Sequence, residues 1–505
     1  MYVAVSRYKN YTRVRILRKV KVGNAWTSKL VEHVGSSRDD TELALLRTRA
    51  TQRMAELSLQ LSLLDELEIQ KATGVSRVTV SSPFAYGLWS VMGSLYDRMS
   101  LPNDLLKYLV LARIALPKSK LTTVRYLSDN LRLDTSLSGV YRYMDSLDKD
   151  VLMASLLAHA QQRAISRGEQ AISVVFYDVT TLYFETDEED LDSETALGLR
   201  KKGYSKDHRY DLPQIVVGLT VDGDGFPLDF QVYEGNTYEG HTLLGGITKI
   251  RQKLQLDSAK LTVVADAGML SIANLTELEE QGYHYIVGAR IRSLPSAQAE
   301  QITTWDYATK GTLDTICSGR RMVVTYSDKR AKRSRQNRDR LIRRLQTKLD
   351  HGQVVKKSKY VILTDGKKLA GSIDQDKLAS DARFDGLKGY VTNTDLQPNE
   401  VVAHYGNLWH VEKSFRMSKS DLRARPTFHF RRERVIAHLV ICICALGVLK
   451  EFEERLRDVL PEAGLSIALE QLLAIREYKL LLPDKQEGAT IYSQFTETQE
   501  KLLLL

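Results

Sequence analysis

A chain of 505 residues, 43% hydrophobic and 27% charged, has the composition of a folded protein of two or three domains rather than a disordered one. Its three cysteines, Cys317, Cys442 and Cys444, exclude a disulfide framework and a four-cysteine zinc site, so a reducing cytoplasm is the expected compartment. The formal charge of +9 favours a polyanionic partner, and its distribution is uneven: residues 1–38 carry nine Lys or Arg against Glu32, and Lys329 to Lys348 carry ten against Asp339. Such clusters suit phosphate contact, with solvated faces as the ordinary alternative. The opening MYVAVSRYKNYTRVRILRK lacks the apolar core of a signal peptide, and the run HLVICICALGVL has 12 residues, too few to span a bilayer, so no membrane association is expected.

Residues 1–34 hold two stretches rich in Val, Ile, Tyr and Arg, MYVAVSRY and YTRVRILRKVKV, that read as strands of a small basic hairpin or meander. Residues 39–70, rich in Leu, Ala, Glu and Arg, read as helix. LPNDLLKYLVLARIAL and SKLTTVRYLSDNLRLDTSLSGVYRYMDSL continue the helical pattern, the second as two short helices around a turn near Asp134 to Gly139. A helix-turn-helix of this form makes Arg125, Arg132 and Arg142 candidate DNA contacts, although helix pairs with a polar turn also abound in proteins that bind no DNA.

Character changes near Ser173. SVVFYDVTTLYFET is a buried strand interrupted by one acid, Asp178. DLPQIVVGLTVDGDG and FPLDFQVYEGN are two apolar runs joined by Asp222-Gly223-Asp224-Gly225, a strong hairpin signal. A helix from about Glu239 to Leu254 follows, then a strand, KLTVVADAGML, that ends at Asp266, a helix, SIANLTELEEQG, and a strand, YHYIVGARIR. The order is mixed, which argues against a simple Rossmann sheet. Between Ser293 and Asp385 the strands GRRMVVTYS and SKYVILTD enclose the basic helix DKRAKRSRQNRDRLIRRLQTKLD, as an insertion that reaches outward. DGLKGYVTNT returns to strand, and beyond residue 430 two segments, RRERVIAHLVICICALGVLKEFEERL and GLSIALEQLLAIREYKLLL, read as packing helices.

Asp178 and Asp266 sit within or at the end of apolar strands. An uncompensated buried carboxylate costs several kcal/mol, and a metal ion is the partner that best explains two of them. Asp266 as a helix cap and Asp178 as a turn residue are the structural alternatives. A third acid lies in PNEVVAHYGNLWHVEKSFRMSKSDL, where 3.6 residues per turn places Tyr405, Leu408, Glu412, Arg416 and Lys419 on one stripe. Three carboxylates suit two Mg²⁺ ions, with Mn²⁺ as a substitute, in a phosphoryl transfer where little covalent protein chemistry is needed. Arg416 and Lys419 supply the cations that a phosphate demands. His208, Arg209 and Asp211 in SKDHRYD, and His241 and His429, stand as polar residues with either a site or a structural role.

Together, YDVTTLYFE, GYSKDHRYDLPQIVVGLTVDGDGFPL, EGNTYEGHT, VVADAGM, DGLKGYVTN, LWHVEKSFR and RARPTFH resemble a DDE transposase of a bacterial insertion sequence. The branch resembled has the signature Tyr-x2-Arg-x3-Glu-x6-Lys, met by Tyr405, Glu412 and Lys419, with Leu408 where the Arg is expected. The resemblance implies an α/β fold: a ribonuclease H-like mixed sheet flanked by helices, with a β-rich insertion domain and a helical N-terminal DNA-binding region. Asp178, Asp266 and Glu412 would be catalytic and would hold the metal. Tyr405 and Lys419 would grip DNA phosphates, and Arg416, Arg423 or Arg425 would supply the phosphate grip that Leu408 cannot give. Phe384 or Trp409 would stack on a flipped base if a DNA hairpin forms.

On this reading residues 1–35 are the basic meander, 36–165 the helical DNA-binding region, 170–292 and 385–456 the two parts of the core, 293–384 the insertion domain and 457–505 the C-terminal helices. The expected activity is binding of terminal inverted repeats, cleavage there and joining of 3′ ends to target DNA by a bacterial, nucleoid-associated protein. The partners are double-stranded DNA and a second copy in a synaptic homodimer. A catalytically silent, transposase-derived DNA-binding regulator is the alternative.

Overall fold

The computed structural model describes residues 1–8, 11–22, 25–39, 42–57, 79–169, 171–192, 198–206, 208–254, 261–269, 271–351, 359–363, 371–424, 429–481 and 489–505. These form two compact units, Met1–Phe84 with Arg476–Gln494, and Ala85–Ile475 with Phe495–Leu505. In the first, Tyr2–Tyr8, Tyr11–Val22 and Ala25–Ser37 make an antiparallel meander. The strand alternation turns Val14 and Ile16 inward, where they bury against Leu43 and Ala50 of the helix at 42–57. Its opposite face carries Tyr8 stacked on Tyr11, ring centroids 5.0 Å apart, beneath the Arg13 guanidinium. The remainder of the helix expected over 39–70 lies outside the described residues. Helical character expected through REYKLLL is overridden: Glu477–Leu481 pairs with Thr79–Val80 and Thr490–Tyr492 as a strand, so cross-strand pairing outweighs local propensity.

The second unit is built on an eight-stranded mixed sheet. Its strands are β1 (Val174–Tyr183), β2 (Gln214–Val221), β3 (Pro227–Glu234), β4 (Thr262–Ala265), β5 (His284–Ala289), β6 (Leu313–Cys317), β7 (Arg320–Tyr326) and β8 (Leu387–Thr392), in the order β6-β7-β8-β5-β4-β1-β2-β3. β1 to β5 run 3-2-1-4-5 across the sheet, with β4 parallel to both β1 and β5, which is the ribonuclease H-like arrangement. The expected outward insertion is divided: β6 and β7 continue the core sheet through β8, while Val361–Leu363 and Gly371–Ile373 form a separate small ribbon. β7 can join because Arg320–Tyr326 buries Met322, Val323 and Val324 as it pairs with β8.

The principal helices are α1 (Leu105–Ala115), α2 (Lys120–Leu131), α3 (Leu137–Asp145), α4 (Lys149–Ser166), α5 (Leu243–Leu254), α6 (Ile272–Glu280), α7 (Asp328–Asp350), α8 (Pro398–Gly406), α9 (Trp409–Arg416), α10 (Arg432–Val459) and α11 (Leu465–Leu473), beside shorter ones. The apolar run at 438–449 is the middle of α10, a 28-residue helix whose most apolar 18-residue window has mean hydropathy 2.1 and is 94% buried in the fold. Length and composition would suit a membrane. The burial instead makes α10 the core helix on which α1, α3 and α4 pack, so the helical stretch from residue 85 belongs to the same body as the sheet and is no separate N-terminal region. α2 and α3 form the expected helix pair, with Ser119 and Ser136 as N-caps and the turn at 132–136, slightly before the expected position.

The β2–β3 turn fastens the helices to the sheet. Asp222 Oδ1 accepts from the N–H groups of Asp224 (3.0 Å) and Phe226 (2.8 Å), and Gly225 turns the chain at φ +81°. Arg163 of α4 pairs with Asp222 (3.4 Å) and with Glu451 of α10 (2.6 Å), and Lys450 donates to the Asp224 carbonyl (3.2 Å). Ser414 of α9, fully buried, donates to the Gly225 carbonyl (2.8 Å).

Beneath this, the Tyr177 ring occupies space left by two glycines. A Cβ at Gly218 would lie 2.1 Å from the Tyr177 oxygen, and one at Gly246 would lie 2.8 Å from the ring. Gly218→Ala is therefore expected to lower stability by about 1–3 kcal/mol through overpacking, read as a shift in the urea midpoint, while Gly223→Ala, with open space at its Cβ, leaves that midpoint nearly unchanged.

Candidate active site

Parallel pairing of β1 with β4 sets Tyr177 opposite Ala265. The next residue in each is an acid: Asp178 lies within β1, and Asp266 stands exposed immediately past the end of β4. Side chains alternate along β1, and Tyr177 points towards α5, where its hydroxyl donates to the Thr242 carbonyl (3.2 Å). Asp178 therefore faces the side covered by α8 and α9. Burial, with Glu239 and Asp266 close by, pushes its carboxyl up to about 6, even though Lys206 and the Val179 N–H favour the ionised form.

Lys206 and Glu239 belong to this site, although the sequence reading assigned neither a role. The Lys206 ammonium lies 3.9 Å from Asp178 Oδ1 and 3.1 Å from Glu239 Oε1, and donates to the Val179 carbonyl. Its backbone N–H donates to Thr181 Oγ1 (3.1 Å). Upstream, Gln214 Nε2 donates to the Tyr204 carbonyl (2.9 Å), so the loop is fixed to the sheet at the lysine and two residues before it. Glu239 sits in the short 3-10 turn Glu239–His241 that precedes α5. A Cβ on Gly268 would be 3.9 Å from both Asp266 Oδ2 and Glu239 Oε2, which places those two carboxylates around one glycine. The only available signal was that both residues fall inside fragments of the resemblance, GYSKDHRYD and EGNTYEGHT.

The expected single helix from Pro398 to Leu422 is broken. α8 begins at Pro398 with a capping box between Gln397 and Glu400, stops at Gly406, and is followed by α9 and a wider π-helical turn, Met417–Asp421. The stripe divides with it. Tyr405 and Leu408 are buried, whereas Glu412 and Arg416 are exposed and Lys419 is half-buried. Leu408, at the break, faces the interior, where an arginine would reach no phosphate. The Tyr405 hydroxyl donates to Asp266 Oδ1 (3.0 Å), and its ring lies against Tyr390 and under the Lys388 ammonium (4.3 Å). Burial and the adjacent Asp266 push the phenol far above its usual range, so it remains a donor to that carboxylate. In this structure Tyr405 therefore orients an acid.

A cleft of about 280 Å³ is lined by Asp178, Val179, Thr180, Lys206, Glu412, Phe415, Arg416, Lys419 and Ser420. Two carboxylates therefore share it with three cations. Lys388, half-buried and pushed down by burial, lies within electrostatic reach of Asp266 and Glu412 and is a further cation that the sequence reading passed over.

The other expected residues are more dispersed. Trp409 is 48% exposed at the start of α9 and stacks on His410 (3.9 Å), whereas Phe384 is half-buried with Arg292 over its ring (5.4 Å). Arg125 and Arg142 are exposed on α2 and α3, and Arg423 is exposed at φ +44°; Arg425 lies outside the described residues. His208, Arg209 and Asp211 form an exposed loop in which His208 meets Tyr210 (3.1 Å) and Arg209 meets Asp211 (3.4 Å). His241 is exposed beside Tyr238, and His429 packs between Tyr141 and His438.

Among the described residues, no three His, Cys, Asp or Glu side chains stand close enough together to hold one metal ion, so the three expected acids do not close around a single centre. The donor set nevertheless fits hard cations: it is all oxygen, Asp178 is a carboxylate that burial makes costly to ionise, and Mg²⁺ keeps several waters and takes only one or two carboxylates per ion. Asp178 on β1 and Asp266 just past the end of β4, with Glu412 lining the same cleft as Asp178, meet that requirement.

No curated protein matches the chain. Among solved structures, the piggyBac transposase synaptic complex with hairpin DNA is similar at 8% identity and a TM-score of 0.34, over 79% of this chain and 82% of that one. A pre-cleavage Mos1 transpososome is similar at 11% identity and 0.16, over 33% of this chain and 54% of that one, and the Mos1 mariner paired-end complex with Mn gives the same four values. A family model described as "Transposase DDE domain" matches residues 169–448, more than half of the chain and the whole of the sheet and cleft. The chain belongs to the transposase DDE domain family.

Proposed function

We propose that this protein is the transposase of a bacterial insertion sequence, which binds the terminal inverted repeats of its element, cleaves DNA there and joins the 3′ ends to target DNA. The observation that carries the reading is the pairing of Tyr177 with Ala265, which brings Asp178 and Asp266 together beside a cleft that also holds Glu412 and the cations Lys206, Arg416 and Lys419. The family accounts for a transposase; the insertion-sequence branch rests on Tyr405, Glu412 and Lys419 at the signature spacing.

Asp178, Asp266 and Glu412 would hold Mg²⁺, or Mn²⁺ in its place, and such ions would activate an attacking water or 3′ hydroxyl and stabilise the leaving oxygen. Arg416 and Lys419, lining the same cleft, bind the phosphate. Tyr405 fixes the Asp266 rotamer through its hydroxyl. Trp409, exposed one helical turn before Glu412, is the better placed of the two aromatics for a flipped base. The exposed Arg125 and Arg142 of the α2–α3 pair are available to DNA outside the cleft, and two copies hold the two ends as a homodimer.

Asp178→Asn, Asp266→Asn and Glu412→Gln are each expected to abolish Mg²⁺-dependent cleavage of a duplex carrying the element ends while leaving end binding within about twofold in a gel-shift assay; normal cleavage by any of them sinks the proposal. A wild-type protein that binds ends and never nicks them with Mg²⁺ or Mn²⁺ is the silent regulator instead. Lys419→Ala should leave the fold intact and reduce the slope of log affinity against log salt by about 0.9, one phosphate contact.

Metal-free stability supplies a measurement independent of DNA. The Asp178 carboxyl is raised in the fold from 3.8 to about 6. Its ionised form is therefore a cost to the folded state that is fully present above pH 6 and is lost as pH falls through 6 towards the unfolded value. Asp178→Asn is expected to raise the stability of EDTA-treated protein at pH 7.5 by about 1–3 kcal/mol, and the gain should close below about pH 4, as read from melts at both pH values.

A further inference from the structure

The cation found among the acids is a lysine. We infer that Lys206 is a resident counter-cation of the carboxylate cluster, competing with a divalent ion for Asp178, and that Glu239 is the tether that holds its ammonium off that carboxylate. This inference rests on the reading of Asp178, Asp266 and Glu412 as metal ligands.

Three observations support it. The first is asymmetry: the Lys206 ammonium is 3.1 Å from Glu239 but 3.9 Å from Asp178, so its closer ion pair is with Glu239, its hydrogen bond goes to the Val179 carbonyl, and Asp178 receives only its charge. Asp178 Oδ1 takes its own hydrogen bond from the Val179 N–H (2.7 Å). The second is that the lysine backbone is immobilised while its side chain is not enclosed. The loop is tied to β1 and β2 through Thr181 and Gln214, yet the Lys206 side chain keeps 34% of its surface and lines the cleft with Arg416 and Lys419. The third is charge: Asp178, Glu239 and Asp266 are electrostatically coupled, and Lys206 is the cation nearest to Asp178, so without metal it carries the compensation there.

A divalent ion at Asp178 meets this ammonium at close range, and like charges in a partly desolvated site weaken each other's binding. Glu239 sets the degree of competition. While it holds the ammonium, the lysine stands aside towards the cleft, where a DNA phosphate is the anion that it can reach. A lysine serving only to lock β1 through the Val179 carbonyl would have no effect on metal affinity beyond that of disturbing the fold.

The test is Mn²⁺ binding to the full-length protein, followed by electron paramagnetic resonance of the free ion, for wild type, Lys206→Gln, Glu239→Gln and the double variant, each checked for an unaltered far-UV spectrum in EDTA. Lys206→Gln is expected to bind Mn²⁺ roughly tenfold more tightly, about one pK unit of relieved repulsion. Glu239→Gln, which releases the ammonium onto Asp178, should bind severalfold more weakly. In the Lys206→Gln background the Glu239 change should have no further effect, because nothing is left to tether. Equal or weaker binding by Lys206→Gln overturns the competition. An equal loss from Glu239→Gln in both backgrounds makes Glu239 a ligand and overturns the tether. Should Lys206→Gln fail to fold, Glu239→Gln decides alone: unchanged or tighter binding overturns the proposal. Wild-type protein that binds no Mn²⁺ overturns the metal-site reading itself, and the inference with it.

Discussion

Two carboxylates at adjacent positions of a parallel strand pair are the constraint to which the rest of the second unit responds. β1 and β4 lie in the middle of the sheet, so their register is set by apolar side chains on both faces, and that register carries Asp178 and Asp266 to the same level. The charge cannot be relieved by sliding a strand, because a one-residue slip would send Tyr177 and Asp178 to the wrong faces. Relief comes from outside: Lys206 from a loop, Lys388 from β8 and the Tyr405 hydroxyl from α8. Tyr405 is held by burial, Lys388 by its place on β8 and the Lys206 backbone by Thr181, so the compensation is anchored to the sheet it serves.

The third acid depends on a different kind of connection. Glu412 lies on an exposed face of α9, whose position is fixed by what its buried face does: Ser414 hydrogen-bonds the Gly225 carbonyl, and Lys413 pairs with Glu453 of α10. Because Gly225 closes the β2–β3 turn and β2 pairs with β1, the distance from Glu412 to Asp178 is set through one hairpin. Asp222, Arg163, Glu451 and Lys450 add a buried ionic frame around that turn. A buried ion network of this kind contributes more to a defined geometry than to net stability, since desolvation offsets much of the attraction.

The strand acids were legible because an isolated carboxylate inside a β-branched run conflicts with its surroundings, and such conflicts concentrate at functional sites. The hairpin at Asp222-Gly223-Asp224-Gly225 was legible because its turn chemistry is local. Helical periodicity put Tyr405, Leu408, Glu412, Arg416 and Lys419 on one stripe, but a wheel carries no information about the break at 407–408, and Tyr405 and Leu408 are buried while Glu412 and Arg416 are exposed. Lys206, Glu239 and Lys388 were illegible for a related reason: each comes from a loop or strand whose approach to Asp178 or Asp266 is a product of tertiary closure, with no spacing rule to expose it. The joining of β6 and β7 to the core sheet was missed because an edge strand and a strand in a separate domain have the same local pattern.

Charge compensation by lysines also lets these acids stand together within the fold. With no ion bound, an exposed cluster of acids would favour local opening, yet here the ammonium groups of Lys206 and Lys388 stand within the cluster and the Tyr405 hydroxyl covers one Asp266 oxygen. Burial nevertheless raises the Asp178 carboxyl, despite the ammonium beside it. A lysine's single positive charge on a long side chain satisfies the acids weakly, and it retains a second use for the phosphates that a transposase cleft has to hold.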